Sequence, residues 1–182
     1  MTGRRPVTEK HQAGTATLTR AEDTIALGAR LGEQLRAGDV VVLSGPLGAG
    51  KTVLAKGIAE AMDVEGPVTS PTFVLARVHP ARRPGTPAMV HVDVYRLLDQ
   101  PGAAGPATSQ PGAAGPATSE PGAALLGELD SLDLDTDLDD AVVVVEWGEG
   151  LAERLSERHL DIRLDRAADS DVRTATWRWS EP

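Results

Sequence analysis

A run of four apolar residues, 40–43, followed directly by a glycine-rich segment constrains the fold of this chain more than any other feature. The run is too short for a helix and is bounded on both sides by turn residues, which predicts a buried strand. Residues 45–52 read Gly-Pro-Leu-Gly-Ala-Gly-Lys-Thr and match the pattern G-x-x-x-x-G-K-[ST], and an amphipathic run, 53–62, follows. Strand, loop and helix in this order are the context that the pattern requires, so the sequence predicts a phosphate-binding loop.

The residue types in this loop suit an anion. Glycines adopt backbone angles closed to other residues, so successive N–H groups can converge on phosphate oxygens. The helix that follows points its positive end at the same anion. We expect Lys51 to reach the β and γ phosphates and the Thr52 hydroxyl to bind Mg²⁺. The predicted nucleotide-binding residues are Gly45, Gly48, Ala49, Gly50, Lys51, Thr52 and Val53.

Two carboxylates at predicted strand ends are candidates for metal binding and catalysis. Glu146 directly follows four valines and is either a helix-capping residue or the acid that holds Mg²⁺, directly or through water. Asp93 lies on an alternating strand, 89–95, on the same side as His91 and Tyr95. It is either a solvated side chain or a group that positions Mg²⁺ or water, since ligands gather at the carboxyl ends of such strands. The predicted catalytic residues are Lys51, Asp93 and Glu146, and the predicted metal ligands are Thr52 and Glu146.

The segment Ser70-Pro71-Thr72 has two interpretations. Pro71 favours extended geometry at Ser70, which suits the entry of a strand at 73–78. Hydroxyl groups are also able to sense a γ-phosphate. Ser70 and Thr72 are therefore switch candidates.

Other elements follow from periodicity. Residues 15–19 predict an edge strand, residues from 21 to just before Gly38 predict a helix, and 151–155 predict a short helix. Two alternating segments, 159–164 and 174–179, predict a closing antiparallel hairpin. The expected fold is a single α/β P-loop domain with a mixed, mostly parallel central sheet, helices on both faces and a C-terminal antiparallel hairpin.

The domain boundaries come from composition. Residues 1–13 are polar and predict a disordered tail, which leaves 14–180 as the folded domain. A Pro-Gly-Ala-Ala-Gly-Pro-Ala-Thr-Ser unit stands at 101–109 and again at 111–119. This composition lacks the apolar surface needed to fold, so we predict a disordered insertion at about 100–123.

Charge and hydropathy limit the function classes. The net charge is -9 and the predicted folded domain has no Lys/Arg cluster beyond Arg82-Arg83, so we expect no tight direct nucleic-acid binding by the isolated chain. No apolar run reaches the length of a membrane span, and no apolar stretch follows the polar N-terminus, so we expect a cytoplasmic protein without a membrane segment. The absence of cysteine excludes disulfides and cysteine zinc sites.

Four motifs in register resemble the bacterial TsaE (YjeE) ATPases over about residues 15–178. They are Ser-Gly-Pro-Leu-Gly-Ala-Gly-Lys-Thr, Thr-Ser-Pro-Thr-Phe, His-Val-Asp-Val-Tyr-Arg-Leu and Val-Glu-Trp. The resemblance implies a small P-loop fold with a mixed sheet. It also implies ATP hydrolysis that supports threonylcarbamoyladenosine modification of tRNA, together with the proteins TsaB and TsaD. The repeat after Leu98 departs from the family pattern.

The resemblance also implies residue roles. Thr52 and Glu146 correspond to the Mg²⁺ ligands, and Asp93 corresponds to an aspartate near the γ-phosphate. Residues 70–72 correspond to a switch segment. The expected cofactors are ATP and Mg²⁺.

Three functions remain open from the sequence. The first is hydrolysis, with a water oriented by Asp93 or Glu146. The second is a small-metabolite kinase, in which Arg77, Arg82 and Arg83 form a phosphate-clamping lid. The third is a nucleotide-dependent scaffold with negligible turnover. A guanine-specific protein is disfavoured because the chain has no asparagine for an Asn-Lys-x-Asp motif.

Overall fold

The computed structural model describes residues 13–71, 75–95, 138–149, 156, 158–167 and 170–180. The strands are β1 (Ala13–Leu18), β2 (Val40–Ser44), β3 (Ala76–His79), β4 (Ala88–Asp93), β5 (Ala141–Glu146), β6 (His159–Arg166) and β7 (Arg173–Trp179). The helices are α1 (Ala21–Gly32) and α2 (Lys51–Met62), with a short 3-10 helix at Leu138–Asp140.

These strands form one sheet in the order β1-β7-β6-β2-β5-β4-β3. Four adjacent strands, β6, β2, β5 and β4, run parallel. The remaining pairs, β1 with β7, β7 with β6 and β3 with β4, are antiparallel. A mixed sheet with a parallel centre and a C-terminal antiparallel hairpin, β6 and β7, confirms the predicted fold class.

The two faces of the sheet are both buried at its centre. On one face, Val41, Val144 and Ile162 pack against Leu54 and Ile58 of α2, in a cluster that α1 also joins. On the other face, valines from β2, β4 and β5 form a second cluster. The two α-helices that the structure describes, α1 and α2, lie on the first face. The described residues therefore contain no α-helix on the second face.

Helices α1 and α2 approach each other through glycines. A Cβ on Gly28 would lie 2.3 Å from the carbonyl oxygen of Leu54, and a Cβ on Gly57 would lie 2.1 Å from that of Ile25. Real side chains do not tolerate such distances, so the absence of side chains lets the two backbones touch. This contact fixes α1 beside the helix that follows the phosphate loop.

Some predicted boundaries of α1 and β1 were wrong. Helix α1 ends at Gly32, since the next bonds are turns, such as the Leu35 N–H to the Gly32 carbonyl oxygen. Strand β1 begins at Ala13, within the predicted tail, and stops at Leu18. Thr19 leaves the strand because its N–H and its hydroxyl both donate to the carboxylate of Asp23.

The predicted boundaries of β3 and β4 were also wrong by a few residues. Strand β3 starts at Ala76 because Leu75 has a left-handed φ of 64°. Strand β4 ends at Asp93, whose carboxylate accepts the Tyr95 N–H at 3.0 Å. The predicted tail apart from Ala13, the repeat at 100–123 and the short helix at 151–155 lie outside the described residues.

Candidate functional site

The phosphate loop occupies residues 45–50, between the end of β2 and the start of α2. Gly45, Gly48 and Gly50 have φ values of 130°, 76° and 104°, which side chains rarely adopt. A Cβ on Gly45 would also lie 2.0 Å from the carbonyl oxygen of Leu164 in β6. The loop conformation and its contact with β6 therefore depend on glycine.

Lys51 is the first residue of α2 and is buried. Its Nζ donates to the carbonyl oxygens of Gly45 at 2.8 Å and Pro46 at 3.1 Å, and lies 3.5 Å from the ring centroid of Trp147. Burial lowers the pKa of Lys51, while the negative charges of Glu146 and Asp93 oppose this shift. The ammonium group thus lies over the phosphate loop.

The Glu146 carboxylate is held at the end of β5 by two donors. The Thr52 hydroxyl donates to its Oε1 at 2.8 Å, and His91 Nε2 lies 2.9 Å from the same oxygen. Glu146 is buried, with 3% of its surface exposed. The two predicted metal ligands, Thr52 and Glu146, are therefore in direct contact.

Asp93 lies beside Glu146, because the two residues are register partners at the ends of β4 and β5. Its carboxylate accepts the Ser70 hydroxyl at 3.0 Å and the Tyr95 N–H at 3.0 Å. Only 2% of Asp93 is exposed, so the solvated interpretation was wrong. Ser70 is brought to the site by this bond, whereas Thr72 lies outside the described residues.

These groups line one cleft of about 420 Å³ at the carboxyl ends of the parallel strands. Ligands of open α/β sheets bind at this edge. The lining residues are Ala21, Thr24, Leu47, Gly48, Gly50, Lys51, Thr52, Val53, Ser70, Asp93, Tyr95, Glu146, Trp147 and Arg173.

The oxygen donors of the cleft suit Mg²⁺. They comprise the Thr52 hydroxyl and the carboxylates of Glu146 and Asp93. Within the described ranges, no group of three or more histidine, cysteine, aspartate or glutamate side chains could by itself hold a metal ion. Such a donor set fits Mg²⁺, which proteins usually bind through one or two carboxylates together with substrate phosphates and waters.

Sequence reasoning missed several residues of this site, among them His91, Trp147 and Arg173. His91 was noted only for the side of the strand on which it lies, yet it contacts Glu146. Trp147 has a left-handed φ of 65° and packs its ring 5.1 Å from that of Tyr95. Arg173 lines the cleft from β7, about 120 residues beyond the loop, and no local pattern marked it. For Trp147, its position directly after Glu146 was the sequence signal that could have placed it in the site.

The three arginines of the predicted lid do not line this cleft. Arg82 and Arg83 pair with Asp63 at the C-terminal end of α2, the end opposite Lys51. Arg77 donates to the Thr69 hydroxyl at 3.2 Å. The structure therefore gives no support to an arginine lid.

Comparison with known protein families finds a match over most of the chain. The family model described as "Threonylcarbamoyl adenosine biosynthesis protein TsaE" matches residues 18–175. The chain belongs to the TsaE family. The match includes the phosphate loop, both carboxylates and Arg173.

Close relatives carry the name tRNA threonylcarbamoyladenosine biosynthesis protein TsaE. The protein of Mycobacterium tuberculosis is 72% identical over 166 residues, which are 91% of this chain and 87% of the relative. That of Mycobacterium leprae is 67% identical over 168 residues, 92% of each chain. That of Streptomyces coelicolor is 50% identical over 141 residues, 78% of each chain.

A solved structure has the same fold. The crystal structure of YdiB from Bacillus subtilis superposes with a TM-score of 0.60 at 25% identity, covering 93% of this chain and 86% of that chain. No helix in the described part of this TsaE family member has the length and apolar character needed to cross a bilayer.

Proposed function

We propose that this chain binds Mg·ATP in the cleft above the phosphate loop and hydrolyses it. The observation that carries the proposal is the meeting of Lys51, Thr52, Asp93 and Glu146 in one cleft. These residues come from three elements and provide the cation and the oxygen ligands that phosphoryl transfer needs. Their convergence is more specific than the loop motif alone.

Each residue has a distinct task in this proposal. Lys51 exchanges the carbonyl oxygens of its own loop for the β and γ phosphates. Thr52 and Glu146 hold Mg²⁺, which neutralises charge that develops on the phosphates. Asp93 is buried beside them and orients the attacking water, with Glu146 as the other candidate. Ser70 fixes the Asp93 carboxylate, which supports a switch role for this segment.

The family and the named relatives support a place for this ATPase in the biosynthesis of threonylcarbamoyladenosine in tRNA. We propose that TsaB and TsaD are its partners and that hydrolysis serves their complex. The isolated chain is expected to bind tRNA only weakly, because its net charge is -9. The location that fits this role is the cytoplasm.

The test is phosphate release from Mg·ATP by the purified chain, with and without the TsaB and TsaD of the same organism. We expect slow release that increases when the partners are added. No increase, with no turnover by the chain alone, would favour the nucleotide-dependent scaffold. Phosphate transfer to an added metabolite in place of release would favour a kinase. The arginine lid expected of such a kinase is not formed by Arg82 and Arg83, because both pair with Asp63.

A variant of Glu146 tests its assignment. Glu146→Gln keeps the size of the side chain but removes its charge, so it should retain nucleotide binding and lose Mg²⁺-dependent hydrolysis on the order of a hundredfold, since metal stabilisation of the transition state is worth several kcal/mol. Glu149→Gln is the matched control, because Glu149 is exposed three residues further on. Wild-type hydrolysis by Glu146→Gln would remove Glu146 from the metal site.

A further inference from the structure

His91 is a fully buried residue of β4 whose side chain points to the helix-covered face of the sheet, toward the neighbouring strand β5. Its register partner in β5 is Val144, so Glu146 lies two residues further along the same face. The Nε2 atom of His91 is 2.9 Å from Oε1 of Glu146. A buried polar contact of this length is a hydrogen bond with one possible donor.

The direction of this hydrogen bond is fixed by chemistry. An ionised carboxylate only accepts, so the hydrogen must lie on Nε2 of His91. The other ring nitrogen, Nδ1, is buried and has no hydrogen-bond partner among the described residues. The one polar contact that His91 makes there is therefore directed at Glu146.

Two donors thus meet on one oxygen of Glu146. The Thr52 hydroxyl and His91 Nε2 both bind Oε1, so neither of these bonds uses Oε2. Two bonds to one oxygen fix the rotation of the carboxylate group. A carboxylate held in this way can present its other oxygen to a cation with little loss of conformational freedom.

We propose that His91 is a positioning residue for the metal site: its Nε2–H holds the Glu146 carboxylate in the orientation that binds Mg²⁺ beside the nucleotide. The inference rests on the proposed function, because it assigns Mg²⁺ to Glu146. His91 itself acts through Glu146 and does not touch the nucleotide.

The chain contains a matched control for this role. His79 is also a buried histidine on the same face, in the adjacent strand β3, with its ring centroid 6.4 Å from that of His91. Its Nδ1 lies 3.1 Å from the carbonyl oxygen of Glu65, and no contact joins it to Glu146. Replacement of His79 removes a buried imidazole of the same size without removing a hydrogen bond to Glu146.

The first experiment measures ADP binding by calorimetry as a function of Mg²⁺ concentration, for the full chain. Mg²⁺ is expected to increase the affinity for ADP. His91→Leu should raise the Mg²⁺ concentration that gives half of this increase by about tenfold or more, as expected for the loss of a group that orients a metal ligand. Affinity for ADP without Mg²⁺ should stay close to wild type. His91→Gln, which places an amide N–H near Nε2, should restore part of the loss, and His79→Leu should behave as wild type.

An equal effect of His79→Leu and His91→Leu would show that packing alone is responsible and would overturn the proposal. A wild-type Mg²⁺ requirement in His91→Leu would overturn it as well. If the wild-type chain binds no ADP at any Mg²⁺ concentration, the proposed function fails instead. The two failures are therefore distinguishable.

The second experiment uses the wild-type chain alone, so it depends neither on the folding of a variant nor on a ligand. Nitrogen-15 NMR of the imidazole rings in the nucleotide-free wild-type chain should show a hydrogen on Nε2 of His91. His79 should show a hydrogen on Nδ1, because a carbonyl oxygen only accepts. A His91 ring with hydrogen on Nδ1 alone would contradict the bond to Glu146 and overturn the proposal.

Discussion

Lys51 has oxygen partners within its own loop. Its ammonium group binds two carbonyl oxygens and lies over the ring of Trp147, so its charge is compensated although it is buried. Buried charges are costly unless they are paired in this way. A phosphate group must therefore offer Lys51 a stronger interaction than the loop does, which a charged hydrogen bond provides.

Removal of this ammonium group should abolish measurable nucleotide binding. Lys51→Ala deletes the cation that faces the β and γ phosphates, whereas Lys56→Ala, on the same helix but exposed, should bind ADP as the wild type does. Calorimetric titration with ADP and Mg²⁺ measures both. An unchanged affinity in Lys51→Ala would refute the phosphate-loop assignment.

The buried His79 should make stability depend on pH. Burial lowers the pKa of His79 below its ordinary value of 6.5, against a hydrogen bond to the Glu65 carbonyl oxygen that raises it. The unfolded chain then binds this proton more readily than the folded chain. The contribution of His79 to the free energy of unfolding is present above about pH 6.5 and is lost as the pH falls through the folded pKa.

Urea denaturation of the wild type and of His79→Leu at pH 7.5 and pH 5 checks this expectation. The free energy of unfolding of the wild type should fall more steeply with acidification than that of the variant. A constant difference between the two proteins across this range would contradict it.

Among individual residues, the sequence predicted the positions of those whose neighbours in the chain form a motif. Lys51, Thr52 and Glu146 lie where the motif and the strand end indicated. His91 and Arg173 were not predicted, since their roles depend on which strands become neighbours. Spacing along one strand cannot show that His91 faces Glu146 of another.

Helices α1 and α2 pack with their backbones in close contact at Gly28 and Gly57. Gly57→Ala should destabilise the fold by about 1–3 kcal/mol, because the added methyl group would meet the carbonyl oxygen of Ile25. The result is informative because alanine forms helices better than glycine by about 1 kcal/mol, so propensity alone predicts the opposite sign.

The measurement is the free energy of unfolding in urea. Arg30→Ala, an exposed change on α1, is the control and should stay within about 0.5 kcal/mol of wild type. A stabilised Gly57→Ala variant would mean that the helices can separate at no cost.

The types of the long elements could be predicted, but their ends could not. Four consecutive apolar residues identified β2 and β5, because both are buried on both faces. The ends depend on local bonds, such as the Thr19 hydroxyl to Asp23 or the left-handed turn at Leu75. Hydrophobic periodicity does not report these bonds.

The order of the strands in the sheet could not be predicted from the sequence pattern. Strand β2 lies between β5 and β6, which follow it by about a hundred residues in the chain. A P-loop motif predicts a parallel sheet but does not order its strands. The order matters for function, because it brings Asp93 and Glu146 to the edge where the phosphate loop begins.

Deletion of residues 100–122 tests the prediction that the repeat is a disordered insertion. The melting temperature and the affinity for ADP should be nearly unchanged, because doubling a loop changes the free energy of closure by only about 0.6 kcal/mol. Thermal unfolding and calorimetry measure the two quantities. A large drop in either would show that the repeat is structured or contacts the domain.

The pairing of β1 with β7 places the first and last described strands in chain order side by side, with Ala13 opposite Arg178. A short covalent link between these two strands would therefore close the chain into a ring without moving any strand. The exposed turn around Gly85, where an added Cβ meets no atom within 4 Å, is a place to open that ring. We therefore expect a circular permutation of the gene to change the connectivity of this sheet while its strand order and the cleft beside residues 45–52 are kept.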